Sequence, residues 1–151
     1  TTTKLEKWVE ILDNTTIDLV SGDVDSRRFE GLIDLSSRKC RLIQGSRGVE
    51  GGLKLYDVVL QFWMGRTEKI QSLGGWDDDF KTQDHKIFFA MHLGKLKIAH
   101  SHDVFVHHNR LMPKGYVNFR HGNSQSKFLK LMMDKLDVDT IEEFGVVTAR
   151  R

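Results

Sequence analysis

All seven histidines of this 151-residue chain fall between His85 and His121, and imidazoles gathered in one stretch can ligate a metal ion or move protons near neutral pH. Singly, most histidines are surface or hydrogen-bonded residues, so strand parity is needed to divide them. If residues 103–108 form a strand, Val104, Val106 and His108 share one face while Phe105 and His107 share the other. At most one of the adjacent pair His107-His108 is then a ligand. A second group is Gly74-Gly75-Trp76-Asp77-Asp78-Asp79-Phe80, followed by Lys81-Thr82-Gln83-Asp84-His85. A carboxylate or imidazole at a helix start, beside a glycine turn and an exposed indole, could deprotonate a sugar hydroxyl while the indole stacks on the ring. The plainer role for Asp84 is a helix cap favoured by the dipole. A third group, Asp23-Val24-Asp25, has the D-x-D form that can hold a divalent cation against a diphosphate. Such triplets recur in acid-rich chains, and here it reads as a turn after a short strand.

The elements that must position these groups are legible from periodicity. Thr3-Lys4-Leu5-Glu6 is a capping box ahead of Leu5, Trp8, Val9 and Leu12, which predicts a helix from the first residues. Residues 17–20 are expected to form a strand closed by Ser21-Gly22, residues 29–43 one or two more strands, and the four-glycine stretch 44–52 a mobile loop. Residues 56–64 read as one strong strand with Tyr56, Val58, Leu60, Phe62 and Met64 on one face. Thr67 should cap a helix to Leu73, stopped by Gly74-Gly75, and Thr82 a second one carrying Ile87, Phe88, Met91 and Leu93, stopped by Gly94. Two strands, 95–100 and 103–108, come next, with Pro113 at a turn. Phe128, Leu131, Met132 and Leu136 then mark an amphipathic helix over 124–136. The expected class is α/β, a mixed sheet flanked by helices.

Composition narrows the function. A chain of this size, 39% hydrophobic with nine Phe, three Trp and two Tyr, can bury a core, which excludes disorder as its main state. No apolar run approaches the about 18 residues of a membrane span, and TTTKLEKW lacks a signal-peptide core. A lone Cys40 excludes an internal disulfide or a multi-cysteine zinc module. The pI of about 8.7 comes from basic residues interleaved with acids, at a net charge of +2. That pattern describes a solvated surface rather than a nucleic-acid footprint.

The order of motifs, TKLEKWVEIL, IDLVSG, VVLQFWMGRTEKI and GGWDDDFKTQDHKIFFAMHLGKLKIAHSHDVFVHHN, resembles the C-terminal half of the animal β-1,4-N-acetylgalactosaminyltransferases. These are inverting enzymes of GT-A fold that act on glycolipid or glycoprotein glycans. The resemblance covers residues 4–110 and is most specific over 61–109. There an "ART-K" type turn, a "GFD or GWD" turn, an acidic/His pair before paired phenylalanines and a "DVVVDH" type strand follow one another.

The resemblance implies specific roles. Asp84-His85 stands where the family has its catalytic base, with Asp84 favoured and His85 the alternative. Trp76, Asp77 and Asp78 would line the acceptor pocket. His108 matches the histidine that completes coordination of Mn²⁺ or Mg²⁺ opposite the family's D-x-D motif. That motif would lie upstream of Thr1, and Asp23-Val24-Asp25 does not replace it. The implied reaction is metal-dependent inverting transfer of GalNAc, or a related hexosamine, from a UDP-sugar to a glycan acceptor. The isolated chain should be weak or inactive because the D-x-D half is missing. Residues 1–123 would be the C-terminal part of the transferase domain and 124–151 a helical extension. The implied setting is the Golgi lumen or secretory pathway, with UDP-GalNAc and a glycan acceptor as partners, no nucleic acid, a membrane anchor only if one lies upstream, and a homodimer through exposed sheet edges. Two readings of other classes stay open: a non-catalytic glycan-binding or oligomerising module, and, ranked below it, a His-metal nuclease suggested by His107-His108-Asn109-Arg110.

Overall fold

Helix α1 (Glu6–Asn14) buries Trp8 and Leu12 and leaves Leu5 and Val9 exposed. The buried stripe is narrower than the four apolar positions suggest. Its N-cap is Leu5, with no side-chain cap bond, and the expected capping residue Thr3 lies outside the described residues. The computed structural model describes residues 4–25, 30–80, 84–108, 114–121, 124–143 and 145–149. The carbonyls at the far end of α1 are satisfied by a distant side chain, as a helix terminus requires. The Arg66 guanidinium donates to the carbonyls of Leu12, Thr15 and Ile17, the last two at 3.2 and 3.1 Å. The arginine of the "ART-K" type turn is thus a structural clamp.

Nine strands build two mixed sheets among the described residues: β1 (Leu19–Val24), β2 (Leu32–Ser36), β3 (Lys39–Ile43), β4 (Gly48–Glu50), β5 (Leu53–Tyr56), β6 (Trp63–Gly65), β7 (Ile98–Val106), β8 (Thr140–Glu143) and β9 (Val146–Ala149). The five-stranded sheet has the order β4-β5-β7-β1-β6, and the four-stranded sheet β2-β3-β8-β9. β1 runs parallel to β7 and β3 parallel to β8, while the remaining pairs are antiparallel. With helices α2 (Thr67–Ser72), α3 (Asp84–Met91), α4 (Lys114–His121) and α5 (Ser124–Leu136), the class is α/β, as the alternation of periods implies.

One core cluster joins Leu19, Val58, Phe88, Phe89, Met132 and Ile141 with their neighbours, and a smaller one holds Trp8, Leu12, Ile17, Val20, Ala99 and Val104. α5 turns Phe128, Met132 and Met133 inward, at the i, i+4, i+5 spacing of one helical face. The β2–β3 hairpin turns through Ser37 and Arg38, both at positive φ (51° and 57°), the backbone of a tight two-residue hairpin turn. Arg38 is anchored there by Asp137 at 3.0 Å and Asp139 at 2.8 Å.

The structure differs from the periodicity expectation in several places. Residues 56–64 are not one strand: β5 ends at Tyr56, Val58 makes an isolated bridge to Gly31, and β6 starts at Trp63. The glycine-rich stretch 44–52 contains β4. Ser21-Gly22 does not close the first strand, because β1 runs on to Val24 and Asp25 alone occupies a turn, at φ 52°. The two strands expected over 95–108 are one, β7. Arg66, not Thr67, is the N-cap of α2. Helix α4 and strands β8 and β9 were not anticipated by the periodicity reading, so 124–151 holds a hairpin as well as a helix. Thr82 and Pro113 lie outside the described residues.

Candidate functional site

β1 and β7 pair in parallel register from Leu19↔Ile98 to Ser21↔His100, and the pairing resumes at Asp23↔Phe105. Two steps along β1 therefore correspond to five along β7, and residues 101–104 form an excursion, as an insertion into a strand must. Gly22 permits it. A Cβ on Gly22 would stand 2.2 Å from the Val104 carbonyl oxygen and 2.7 Å from the Trp8 ring, so only glycine lets the excursion close over β1. Within it, Ser101 is buried and accepts the Asp103 N–H at 3.4 Å.

The excursion sets two imidazoles against one carboxylate. His100 Nε2 lies 2.9 Å from Asp23 Oδ1, and His102 Nδ1 lies 3.2 and 3.1 Å from Asp23 Oδ1 and Oδ2. The two rings meet edge to face at 4.7 Å. Partial burial pushes the Asp23 carboxyl up, but the hydrogen bonds and charges of His100 and His102 outweigh it and hold it below the usual carboxylate range. Just past β7, the D-x-D partner Asp25 accepts the His108 backbone N–H at 3.0 Å and lies 3.5 Å from His107 Nδ1. Three imidazoles and the backbone of a fourth histidine thus meet Asp23 and Asp25, in the triplet that reads from sequence as a turn. The apolar, β-branched run Ile17-Asp18-Leu19-Val20 marks the start of the strand, but Gly22 masked its continuation as a stop.

His108 itself is exposed. Among the described residues one group of three potential ligands gathers, Asp23, His100 and His102, and His108 is not in it. Hard cations such as Mn²⁺ and Mg²⁺ take about six oxygen-rich ligands. The described surroundings of His108 do not supply such a set.

The second candidate region is a cleft of about 230 Å³ between the Gly74-Gly75 turn and α3, lined by Trp76, Asp77, Phe88 and His92 among others. Gly74 and Gly75 adopt φ of 93° and 69°, a conformation that favours glycine. Trp76, 40% exposed, rests on Phe88 at 4.4 Å and Trp63 at 5.6 Å between ring centres. His92 packs edge-on to Phe88 at 4.8 Å, and burial, aided by Lys95, pushes its pKa down. Asp77 is engaged elsewhere. Its carboxylate accepts a hydrogen bond from Lys135 on α5, which holds it below its ordinary range, and also the Asp79 N–H at 3.0 Å. Asp78 is exposed. Asp84 is the first residue of α3, and its side chain lies outside the described residues. His85 follows it, half-buried.

No protein-family model matches the chain. Curated relatives do match. The chain is 28% identical over 122 residues to β-1,4 N-acetylgalactosaminyltransferase 1 of Homo sapiens, covering 70% of this chain and 22% of that protein. It is 29% identical over the same length to the Rattus norvegicus protein of that name, with the same coverage. The resemblance carried by the motifs between residues 4 and 110 is borne out at this level: the chain is similar to the β-1,4 N-acetylgalactosaminyltransferases and spans 22% of the length of these relatives.

Proposed function

We propose that this chain is part of a glycosyltransferase domain and forms its acceptor side. The observation that carries the reading is the similarity over 122 residues to enzymes named for GalNAc transfer, in a chain whose Trp76 stands half-open over a small cleft. An indole face with an apolar body and a polar edge suits the stacking of a sugar ring. At about 230 Å³ the cleft falls below the roughly 300–1,000 Å³ of drug-sized sites, so it fits one ring rather than a whole oligosaccharide.

In the complete protein, Asp84 or His85 at the start of α3 would take the proton from an acceptor hydroxyl. The freed oxygen would attack the anomeric carbon of UDP-GalNAc as the bond to the diphosphate breaks, inverting that centre. Mn²⁺ or Mg²⁺ would neutralise the departing diphosphate, with His108 the contribution of this chain and the remaining ligands supplied from outside it. Residues 1–123 would form the C-terminal part of a GT-A domain, with 124–151 a C-terminal extension to it. We place the complete protein in the Golgi or secretory pathway. No helix among the described residues is long and apolar enough to cross a membrane.

The test is calorimetric titration of the chain with a panel of free oligosaccharides and with UDP-GalNAc, with and without Mn²⁺. Glycan binding weakened about tenfold or more in Trp76→Ala supports the acceptor-side reading, since removing the indole takes away the stacking face. No glycan binding at all sinks it. The observation favouring a non-catalytic module is that His108 lies outside the one group of three potential ligands among the described residues. Manganese-dependent binding of UDP-GalNAc would refute that second reading.

A further inference from the structure

We propose that Asp23, His100 and His102 form a site for a single transition-metal ion of the zinc class. One ligand atom from each residue lies within 4.8 Å of the others. Zinc bonds of about 2.0–2.1 Å to nitrogen and oxygen set neighbouring ligands about 3.3 Å apart in a tetrahedron. The His100–Asp23 and His102–Asp23 contacts stand at 2.9 and 3.1 Å. Each imidazole needs to part from Asp23 by only about a few tenths of an ångström to admit an ion, while the two imidazoles lie within 4.8 Å of one another.

The scaffold favours a fixed geometry. Asp23 and His100 sit on adjacent strands in the middle of the five-stranded sheet, and His102 is carried by the excursion that Gly22 admits. Ligands on strands are held more closely than ligands on free loops. The side of the site toward His102 is open: its side chain is 54% exposed, against 20% for Asp23 and 2% for His100. An ion can therefore enter from solvent and retain a free coordination position. Two buried polar atoms collect at this place, His100 Nδ1 and the hydroxyl of its register partner Ser21, neither with a hydrogen-bond partner among the described residues. Buried polar atoms are normally paired, and exceptions tend to mark a functional site or a bound ion or water.

The donor set decides the class of ion. Two borderline imidazoles with one harder carboxylate suit Zn²⁺ and its neighbours Fe²⁺, Ni²⁺ and Cu²⁺, whereas Mg²⁺ and Ca²⁺ require oxygen-rich shells. Three protein ligands leave at least one position for water or a ligand oxygen, as at zinc sites that do chemistry rather than merely hold a fold. The site is independent of the transferase reading, since it uses neither His108 nor a sugar nucleotide.

Calorimetric titration of the chelator-treated chain with Zn²⁺ tests it, with Co²⁺ as the spectroscopic substitute. The expected result is one ion per chain with a dissociation constant on the order of micromolar or lower. His102→Ala should weaken binding by about tenfold or more, and so should Asp23→Asn, while His107→Ala and His108→Ala leave it within about twofold. His102 is exposed, so its variant keeps the fold, which circular dichroism verifies. Absence of saturable binding up to about 100 µM Zn²⁺ overturns the proposal. Binding that His107→Ala or His108→Ala abolishes, while His102→Ala does not, overturns it too, because the ion would then sit at Asp25.

Discussion

His100 and Asp23 lie 77 residues apart in the chain and meet at 2.9 Å, imidazole Nε2 against carboxylate Oδ1. The contact is a consequence of parallel pairing between β1 and β7, since parallel neighbours are always joined by a long crossover. Here the crossover contains β2 to β6, α2 and α3, so both the cleft beside Trp76 and the hairpin of the second sheet are inserted between the two halves of the His–Asp cluster.

Gly22→Ala should destabilise the chain by about 1–3 kcal/mol or more, the range for forcing an extra carbon into packed structure. The added carbon meets the backbone oxygen of Val104 at 2.2 Å, and a backbone carbonyl next to the paired Phe105 cannot swing away as a side-chain tip can. The shift in urea midpoint at constant slope measures the loss. A variant within about 0.5 kcal/mol of the parent would mean that the excursion does not close over β1 as described.

Asp57→Asn should cost about 1–3 kcal/mol, because a carboxylate that satisfies a buried backbone donor and a guanidinium is replaced by a neutral amide. Asp57 is only 9% exposed, accepts the Ile33 N–H at 2.9 Å and pairs with Arg47 at 2.6 Å. Chemical denaturation again measures it, with Arg47→Gln as the companion variant. If neither variant moves the midpoint, this link between β2 and the end of β5 contributes nothing.

Stability should fall between about pH 5 and pH 2 partly through Glu50. Its carboxylate accepts from Lys97 Nζ at 2.8 Å, from the Thr16 hydroxyl at 2.8 Å and from the Thr16 N–H at 2.7 Å. These bonds, that of Lys97 foremost, lower its pKa from 4.5 to about 2. The folded value lies below the unfolded one, so the contribution is complete above 4.5 and disappears as pH drops through about 2. Glu50→Gln should flatten this part of the pH profile of the denaturation midpoint. Parallel profiles for parent and variant would contradict the assignment.

Cys40 should resist thiol reagents in the folded chain at pH 8 and react once denaturant is added. It is 1% exposed, and burial, reinforced by Glu143 and Asp34, pushes its thiol up to about 11. Little thiolate is then present near neutral pH, and the thiolate is the reactive form. Rapid stoichiometric labelling without denaturant would show that β3 opens locally.

The helices were legible wherever one apolar face recurs at helical spacing. α5 begins and ends at the residues that Phe128, Met132 and Leu136 imply, and α2 and α3 lie where their glycine stops place them. Strand limits were less legible, because alternation states which side chains could share a face but not which backbone groups find partners. Tyr56 to Met64 puts an apolar residue at every second position, yet between β5 and β6 it makes only the isolated bridge of Val58 to Gly31. β8 and β9 are short and rich in Thr and Glu, and β8 joins the sheet only because β3 offers it an edge.

The sequence by itself determined the α/β class, the positions of four helices, the crowding of histidines after residue 84 and the similarity carried by residues 4–110. Each of these rests on residue types and short-range spacing, which a linear chain displays directly. Only the tertiary structure decided which carboxylates the histidines meet, that Asp77 is occupied by Lys135, and that Gly22 serves a close approach rather than a turn. Those relations depend on the parallel register of β1 with β7 and on α5 docking beside the Trp76–Phe80 turn. Register is set by long-range packing of both sheets against the shared core, and no local pattern encodes it.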